Sequence, residues 1–479
     1  MKNYRIAFLL IISCFTVLFQ GYSQTDTTKI VILSLNDQHA RIDNYARLKS
    51  LTDSIRNTHK YVLLFAAGDN FTGNPVVDQY KDRGYPMIDL MNMVGFNASA
   101  VGNHEFDYGQ ATLRKRIEQA QFPFISANIK DEVIGKVSFK PYTIIQLDNG
   151  IRVGVISAIQ LGPRGLPDSH PNNLKGLTFT NGVEELKTYS NLHDSCQIFI
   201  ALTHLGFEED LELAKAMPSL DLIFGGHTHT LTKPAQIVNN IPVMQAGSGV
   251  RSLAMATISL VNNKVVKIEP RMLNISAHKD ADPEILNALA LYNDNNELNR
   301  VIGTTLHGIS GSDELGSLMT DAVVSLDEID IAFQNKGGIR IDNIPAGPIT
   351  VKDIYKLDPF GNEIILFELT GREIKSLIAN SYQRSENSID LQVSGMTYTI
   401  VTDSEKKIRG IEVKLSSGKK VKDTKRYKVG MNSYIASSYK FDHKDSGRSL
   451  YRTTADVLIQ YISDKKTVDY KDTKRTFIK

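Results

Sequence analysis

This sequence predicts an α/β fold divided between two domains, on three observations. Short apolar, β-branched runs alternate with amphipathic segments through the first half of the chain. Acids, amides and histidines gather just after several of those runs. The pattern changes near residue 303 to mixed strands and helices with turns such as KGGIR, PFGNE and LSSGKK. The chain has 479 residues, enough for two or three cores at roughly 100–200 residues per domain. It is 42% hydrophobic and 23% charged, with a formal net charge of +2. That balance points to a globular chain and gives no reason to expect a nucleic-acid polymer as partner.

The first segment reads as an export signal. MKNYR carries two positive charges, IAFLLIISCFTVLF is a short apolar core, and QGYSQ follows with small residues. The apolar run is too short to span a bilayer comfortably, and no other run is long enough. Cleavage after Ser23 is expected, which makes residues 1–23 a signal peptide and the protein periplasmic or secreted. IISC also resembles a lipobox, so anchoring through Cys14 stays open. After the cut only Cys196 remains; it sits in CQIFIAL and reads as an inert core thiol.

The elements then follow in order. IVILSL is a buried strand, NYARLKSLTDSIRN a helix and YVLLFAAGD a strand. PMIDLMNMVGF is helical, NASAVGNHEFD returns to strand, and ATLRKRIEQAQ is helical. FPFISANI, RVGVISAI, CQIFIALTH and LDLIFGGHTH are strands. IPVMQAGS and the hairpin LAMATISLVNNKVVKIEP close the domain, with NN as the turn. DADPEILNALALYNDNNELN is a linker helix between dissimilar halves. The expected division is residues 24–278, a linker at 279–303 and a smaller α/β domain at 304–479.

Five short stretches follow apolar strands, where α/β folds collect ligands. They carry Asp37 and His39, then Asp69, then Asn103, His104 and Asp107, then His204, then His227 and His229. Five of the eleven histidines lie here. Singly, each reads as a turn or hydrogen-bonded loop residue. Together, beside glycines that admit close backbone approach, they read as a metal site. Mixed imidazole, carboxylate and amide donors suit Zn, Mn, Fe or Co better than a thiolate-seeking ion. The donors are too many for one tetrahedral ion. Two ions about 3.5–4 Å apart, sharing one carboxylate, would use them all.

The ordered series NDQH, GDN, VGNHEFDYG, THLG and GGHTH resembles the calcineurin-like metallophosphoesterases, and the secreted 5′-nucleotidase branch in particular. The resemblance implies an αββα sandwich and two divalent ions (Zn, Mn, Co, Fe or Mg). Asp37, His39 and His229 would hold one ion. Asn103, His204 and His227 would hold the other, and Asp69 would bridge them. His104 would act on the phosphate, with Asp107 orienting its ring. On an extended backbone, His227 and His229 would point to the same side.

The resemblance also implies a nucleotide-binding second domain that rotates substrate to the metals. In NKGGIR, Asn335, Gly337 and Gly338 would present backbone and amide donors, and Arg340 would reach the phosphate. Phe360 and Tyr434 would stack on the base, with Asn362 beside it. Two departures stand out. IASSYKFDHKD lacks the family's A-x-G-G-D-G, so Lys440 stands near the ribose-binding Asp, with Asp442 as a replacement candidate. GISGSDELGSLMTDA lacks an arginine that relatives use for phosphate. The expectation is removal of phosphate from nucleoside 5′-monophosphates. A 2′,3′-cyclic nucleotide, a UDP-sugar or another phosphoester is the alternative substrate, and a non-catalytic nucleotide-binding protein the last.

Overall fold

The computed structural model describes residues 27–131, 139–162 and 165–479. The expected signal peptide and Cys14 lie outside the described residues. The first domain is built on strands β1 (Thr27–Leu35), β2 (Val62–Ala66), β3 (Ala98–Ala100), β4 (Phe124–Ile125), β5 (Tyr142–Gln146), β6 (Arg152–Ile156), β7 (Ile198–Leu202), β8 (Leu222–Phe224), β9 (Gln236–Val238), β10 (Ile241–Met244), β11 (Ser252–Val261) and β12 (Lys264–Asn274). Among the described residues they form two six-stranded sheets, ordered β12-β11-β1-β2-β3-β4 and β9-β10-β8-β7-β6-β5.

Strand alternation explains why these sheets stack. Ile30 and Ile32 of β1 join Leu63 and Phe65 of β2 in the layer between the sheets. There they meet Val153, Val155, Ile198 and Ile200 of the second sheet. Val31 and Leu33 point the other way, toward helices α1 (Tyr45–Thr58) and α2 (Tyr85–Val94). Both faces of β1 are covered, so its sequence is continuously apolar. Further helices are α3 (Gln110–Gln119) and α4 (Phe207–Ala216), the second not anticipated from sequence. The result is the αββα sandwich that the resemblance implied. The hairpin β11–β12 turns at Asn262 and Asn263, both left-handed at φ 53° and 61°, as a two-residue primed turn requires.

Three expected elements differ. The strand expected over NASAVGNHEFD is only Ala98–Ala100; His104–Phe106 winds into a 3₁₀ turn. FPFISANI breaks into two short pieces, Phe124–Ile125 and Ile129–Asp131. The linker helix α5 is Pro283–Asn293, shorter than its apolar pattern, and strand β13 (Val301–Thr305) already begins inside the expected linker. Asp282 caps α5, its carboxylate accepting from Ile285 N at 2.9 Å. The far end stops because Asn295 and Glu297 make local turn bonds to Leu298 N and the Arg300 side chain instead.

The second domain comprises β13, α6 (Gly311–Val324), β14 (Ile331–Asn335), α7 (Val351–Leu357), β15 (Glu363–Thr370), α8 (Gly371–Arg384), β16 (Leu391–Ser394), β17 (Met396–Thr402), β18 (Ile408–Leu415), β19 (Arg426–Asn432), α9 (Ser433–Ser438), β20 (Arg448–Thr453) and α10 (Thr454–Lys465). Its main sheet runs β16-β14-β19-β15-β20. Capping boxes at Thr350/Asp353 and Thr370/Glu373 start α7 and α8. Ile285 and Leu289 of α5 are buried in the core that continues from α1 and α2 into the second domain. Tyr292 at the end of α5 donates to Asp89 at 2.6 Å, tying the helix to the first domain.

Candidate active site

The loops leaving β1, β2, β3, β7 and β8 converge at one edge of the sandwich. Asp37, Asp69 and His204 are buried and could share one ion, as could Asp37, His39 and His229. His204 Nε2 lies 3.1 Å from Asp69 Oδ2 and 4.0 Å from Asp37 Oδ1. His229 Nε2 lies 3.4 Å from Asp37 Oδ1 and 2.9 Å from His39 Nε2. His227 Nδ1 lies 3.2 Å from Asn103 Oδ1. All seven expected ligands are therefore in one cluster.

The backbone is bent to achieve this. Asp37, His39, Asp69, His227 and His229 all have positive φ, between 48° and 79°. Such conformations cost free energy and cluster where function needs them. They also correct one expectation. His227 and His229 do not sit on extended backbone; two left-handed residues turn them apart, His227 toward Asn103 and His229 toward His39. The glycines before them are needed for packing. A Cβ on Gly225 would lie 1.7 Å from Asp210 Oδ2, and one on Gly226 would lie 2.5 Å from the Ala67 carbonyl.

The cluster fits divalent cations. His204 Nδ1 bonds the Ala67 carbonyl at 2.8 Å, so its proton sits there and Nε2 offers a lone pair. That Nε2 is buried without a hydrogen-bond partner. His39 Nδ1 is likewise placed at 3.2 Å from the Thr72 carbonyl, leaving Nε2 facing His229 Nε2. Burial alone lowers the His204 pKa, but Asp69 and then Asp37 outweigh it and push it up to about 10. The carboxylates of Asp69 and Asp37 beside Nε2 favour positive charge there, which fits a divalent cation as well as a proton.

His104 Nδ1 bonds Asp107 Oδ2 at 2.6 Å, and its Nε2 stands 4.0 Å from Asp69 Oδ2. Burial lowers its pKa, yet Asp107 and Asp69 raise it above the ordinary value. Glu105, within the same HEFD stretch, was assigned no role from sequence. It accepts from Asp69 N at 2.9 Å, Asn70 N at 2.7 Å and Gly102 N at 2.6 Å. It therefore fixes the loop that presents Asp69. Three inward backbone donors leave no sequence signal beyond an acid beside a motif.

The second domain closes over this cluster. Arg340 Nη2 lies 3.5 Å from His39 Nδ1, and its guanidinium 5.5 Å above the Phe360 ring. Phe360 is 6.0 Å from His104, with planes 26° apart. A cavity of 1040 Å³ joins the halves, lined by Asp69, His104, Asn335, Gly337, Gly338, Arg340, Phe360, Asn362 and Tyr434. Asn362 Oδ1 accepts from Ser433 Oγ at 2.9 Å, and Asn335 Oδ1 from Asn432 Nδ2 at 2.8 Å. Lys440 and Asp442 do not line the cavity, so Asp442 is not in place as the replacement sugar ligand. Tyr439 and Ser437 line it instead, with Arg384, Asp390 and Asp168, none of which sequence reasoning selected.

The chain is similar to known proteins over both domains. Residues 30–231 match the calcineurin-like phosphoesterase profile, and residues 299–440 match the 5′-nucleotidase C-terminal domain. The chain is 29% identical to the trifunctional nucleotide phosphoesterase protein YfkN of Bacillus subtilis over 85% of its own length. It spans 32% of that longer protein. It is 26% identical to protein UshA of Escherichia coli, covering 94% of this chain and 93% of that one. A 5′-nucleotidase precursor from Thermus thermophilus has a crystal structure that superposes with a TM-score of 0.82 at 25% identity. That match covers 94% of this chain and 99% of that one.

Proposed function

The chain belongs to the calcineurin-like phosphoesterases that carry a 5′-nucleotidase C-terminal domain, and on that premise we propose that it removes phosphate from nucleoside 5′-monophosphates. The observation that carries this reading is a cavity whose walls come from both domains. One wall holds the acid–histidine cluster, and the other holds Arg340, Phe360 and Tyr434. A phosphate at the cluster and a flat ring between the aromatics would fill it.

Asp37, His39 and His229 would hold one divalent ion, Asn103, His204 and His227 a second, and Asp69 both. When bound, such ions supply Lewis acidity toward phosphoryl oxygens. Arg340 presents a planar fork to the same oxygens. Asp107 holds the His104 ring by Nδ1, which leaves Nε2 to deliver a proton to the departing ribose oxygen. Phe360 and Tyr434 orient the base, each face contributing about 1–3 kcal/mol by analogy with base stacking. The domain division, with the second domain beginning at β13 and not at residue 304, and export through residues 1–23 belong to the same proposal. No helix of the described residues is long and apolar enough to cross a membrane.

Replacement of the family's glycine-rich sugar loop by Ser437, Ser438 and Tyr439 favours a second reading. There the same centre cleaves a 2′,3′-cyclic nucleotide, a UDP-sugar or another phosphoester. The test is phosphate release by residues 24–479 from AMP, UMP, 3′-AMP and an aryl phosphate, with UDP-glucose and 2′,3′-cyclic AMP followed by their nucleotide products. Each is run with Mn²⁺, Zn²⁺, Mg²⁺ or chelator. Preference for AMP and UMP, abolished by chelator and by Asp69→Asn, is expected. An active Asp69→Asn variant would refute the metal assignment. Equal turnover of all phosphomonoesters would refute the nucleotide assignment.

A further inference from the structure

Arg384 ends α8 and reaches the cavity wall. Its Nη2 donates to Tyr434 Oη at 3.2 Å, and its guanidinium lies 5.1 Å over the Tyr439 ring. Across the domain boundary, Nη2 is 3.8 Å from Asp168 Oδ1. Asp168 belongs to the first domain, and its backbone carbonyl accepts from Asn103 Nδ2 at 3.1 Å. One guanidinium therefore touches the aromatic wall of one domain and the loop that holds a candidate metal ligand of the other.

Two other roles fit less well. A free anion-binding role for Arg384 is opposed by the carboxylates of Asp168 and Asp390 in the same wall. A purely local role is opposed by the contact with Asp168, which crosses between domains and adds nothing to the fold of either. Asp390 is already engaged, accepting from Tyr439 Oη and from Lys336 N. That bond fixes the Tyr439 ring on which Arg384 rests.

We propose that Arg384 is a positioning residue that couples domain closure to the nucleotide site. It steadies the Tyr434 ring and docks on the Asp168 loop, so that the base wall and the Asn103 amide come into register together. This rests on the reading of the cavity as a nucleotide phosphohydrolase site. The partly exposed ion pair is individually weak, so the coupling is expected to be modest.

The test uses residues 24–479 with Mn²⁺ and measures kcat and KM for AMP and for an aryl phosphate, which has no base to meet Tyr434. Arg384→Met should lower kcat/KM for AMP by about fivefold to tenfold, mostly through KM, and Asp168→Asn by about threefold. The loss on aryl phosphate should be smaller. The double variant should be no worse than Arg384→Met alone, because both changes break one link. Arg384→Lys should recover part of the loss. Equal losses on both substrates, or multiplying losses in the double variant, would overturn the coupling. Near-ultraviolet circular dichroism separates these outcomes from misfolding. Wild-type protein with no preference for AMP would remove the nucleotide reading and this inference together. Preference with multiplying losses would remove only the inference.

Discussion

Gly102→Ala tests how tightly the candidate metal centre is built. A Cβ at this position would lie 2.3 Å from Asp69 Oδ1 and 2.6 Å from Asp69 N. Ordinary contact begins near 3.4 Å, so the carboxylate must retreat by about 3.4 − 2.3 = 1.1 Å. Rotation of the Asp69 side chain cannot relieve the clash with the backbone nitrogen. Gly102 N also donates to Glu105 Oε2, which in turn holds Asp69 N, so the strain spreads through the same loop. Displacing a positioning group by about 1 Å costs on the order of 100-fold in rate, or about 2.7 kcal/mol. Overpacking should remove a further ~1–3 kcal/mol of stability. Phosphate release from AMP with saturating Mn²⁺ measures the first effect, and urea unfolding followed by circular dichroism the second. A folded variant whose kcat stays within threefold of wild type would refute the argument, since Asp69 would then not need its present position.

Tyr434→Ala should raise KM for AMP by about 5- to 150-fold, the range of one lost stacking face, while the KM of an aryl phosphate moves much less. Equal shifts for both substrates would remove Tyr434 from the base site. His104→Asn should lower kcat by at least about 100-fold with little change in KM, because it removes a proton donor and not a ligand. A larger effect on Mn²⁺ affinity than on kcat would make His104 a ligand instead. Asp321 offers a stability test away from the site. Burial raises its pKa, but Arg475, Ser394 and Tyr470 outweigh this and hold it below the ordinary carboxylate value. A depressed folded pKa stabilises above the unfolded pKa near 4, and that contribution disappears as pH falls through the folded value. The urea midpoint of wild type should therefore drop more steeply below pH 4 than that of Asp321→Asn. Parallel pH profiles would show that the carboxylate contributes nothing.

The sequence by itself determined the fold class and picked out the residues that gather in the candidate metal cluster. Apolar runs such as IVILSL and CQIFIALTH identify buried strands because burial on both faces leaves no polar alternation. Chemistry-bearing residues just after those strands are legible because α/β folds open their sites there. The tertiary structure decided what depends on contacts distant in sequence. It turned His227 and His229 apart through left-handed backbone, where extended backbone had been expected. It gave Glu105 two backbone donors from the distant Asp69 loop beside one from nearby Gly102, a pairing that no local pattern encodes. It ended α5 at Asn293, because side chains of the NDNNELN segment bond nearby backbone and compete with helical pairing. It moved Asp442 out of the cavity and brought in Arg384, more than 200 residues from Asp168. An arginine at the end of a helix looks like any solvated charge until the opposing domain supplies its partner.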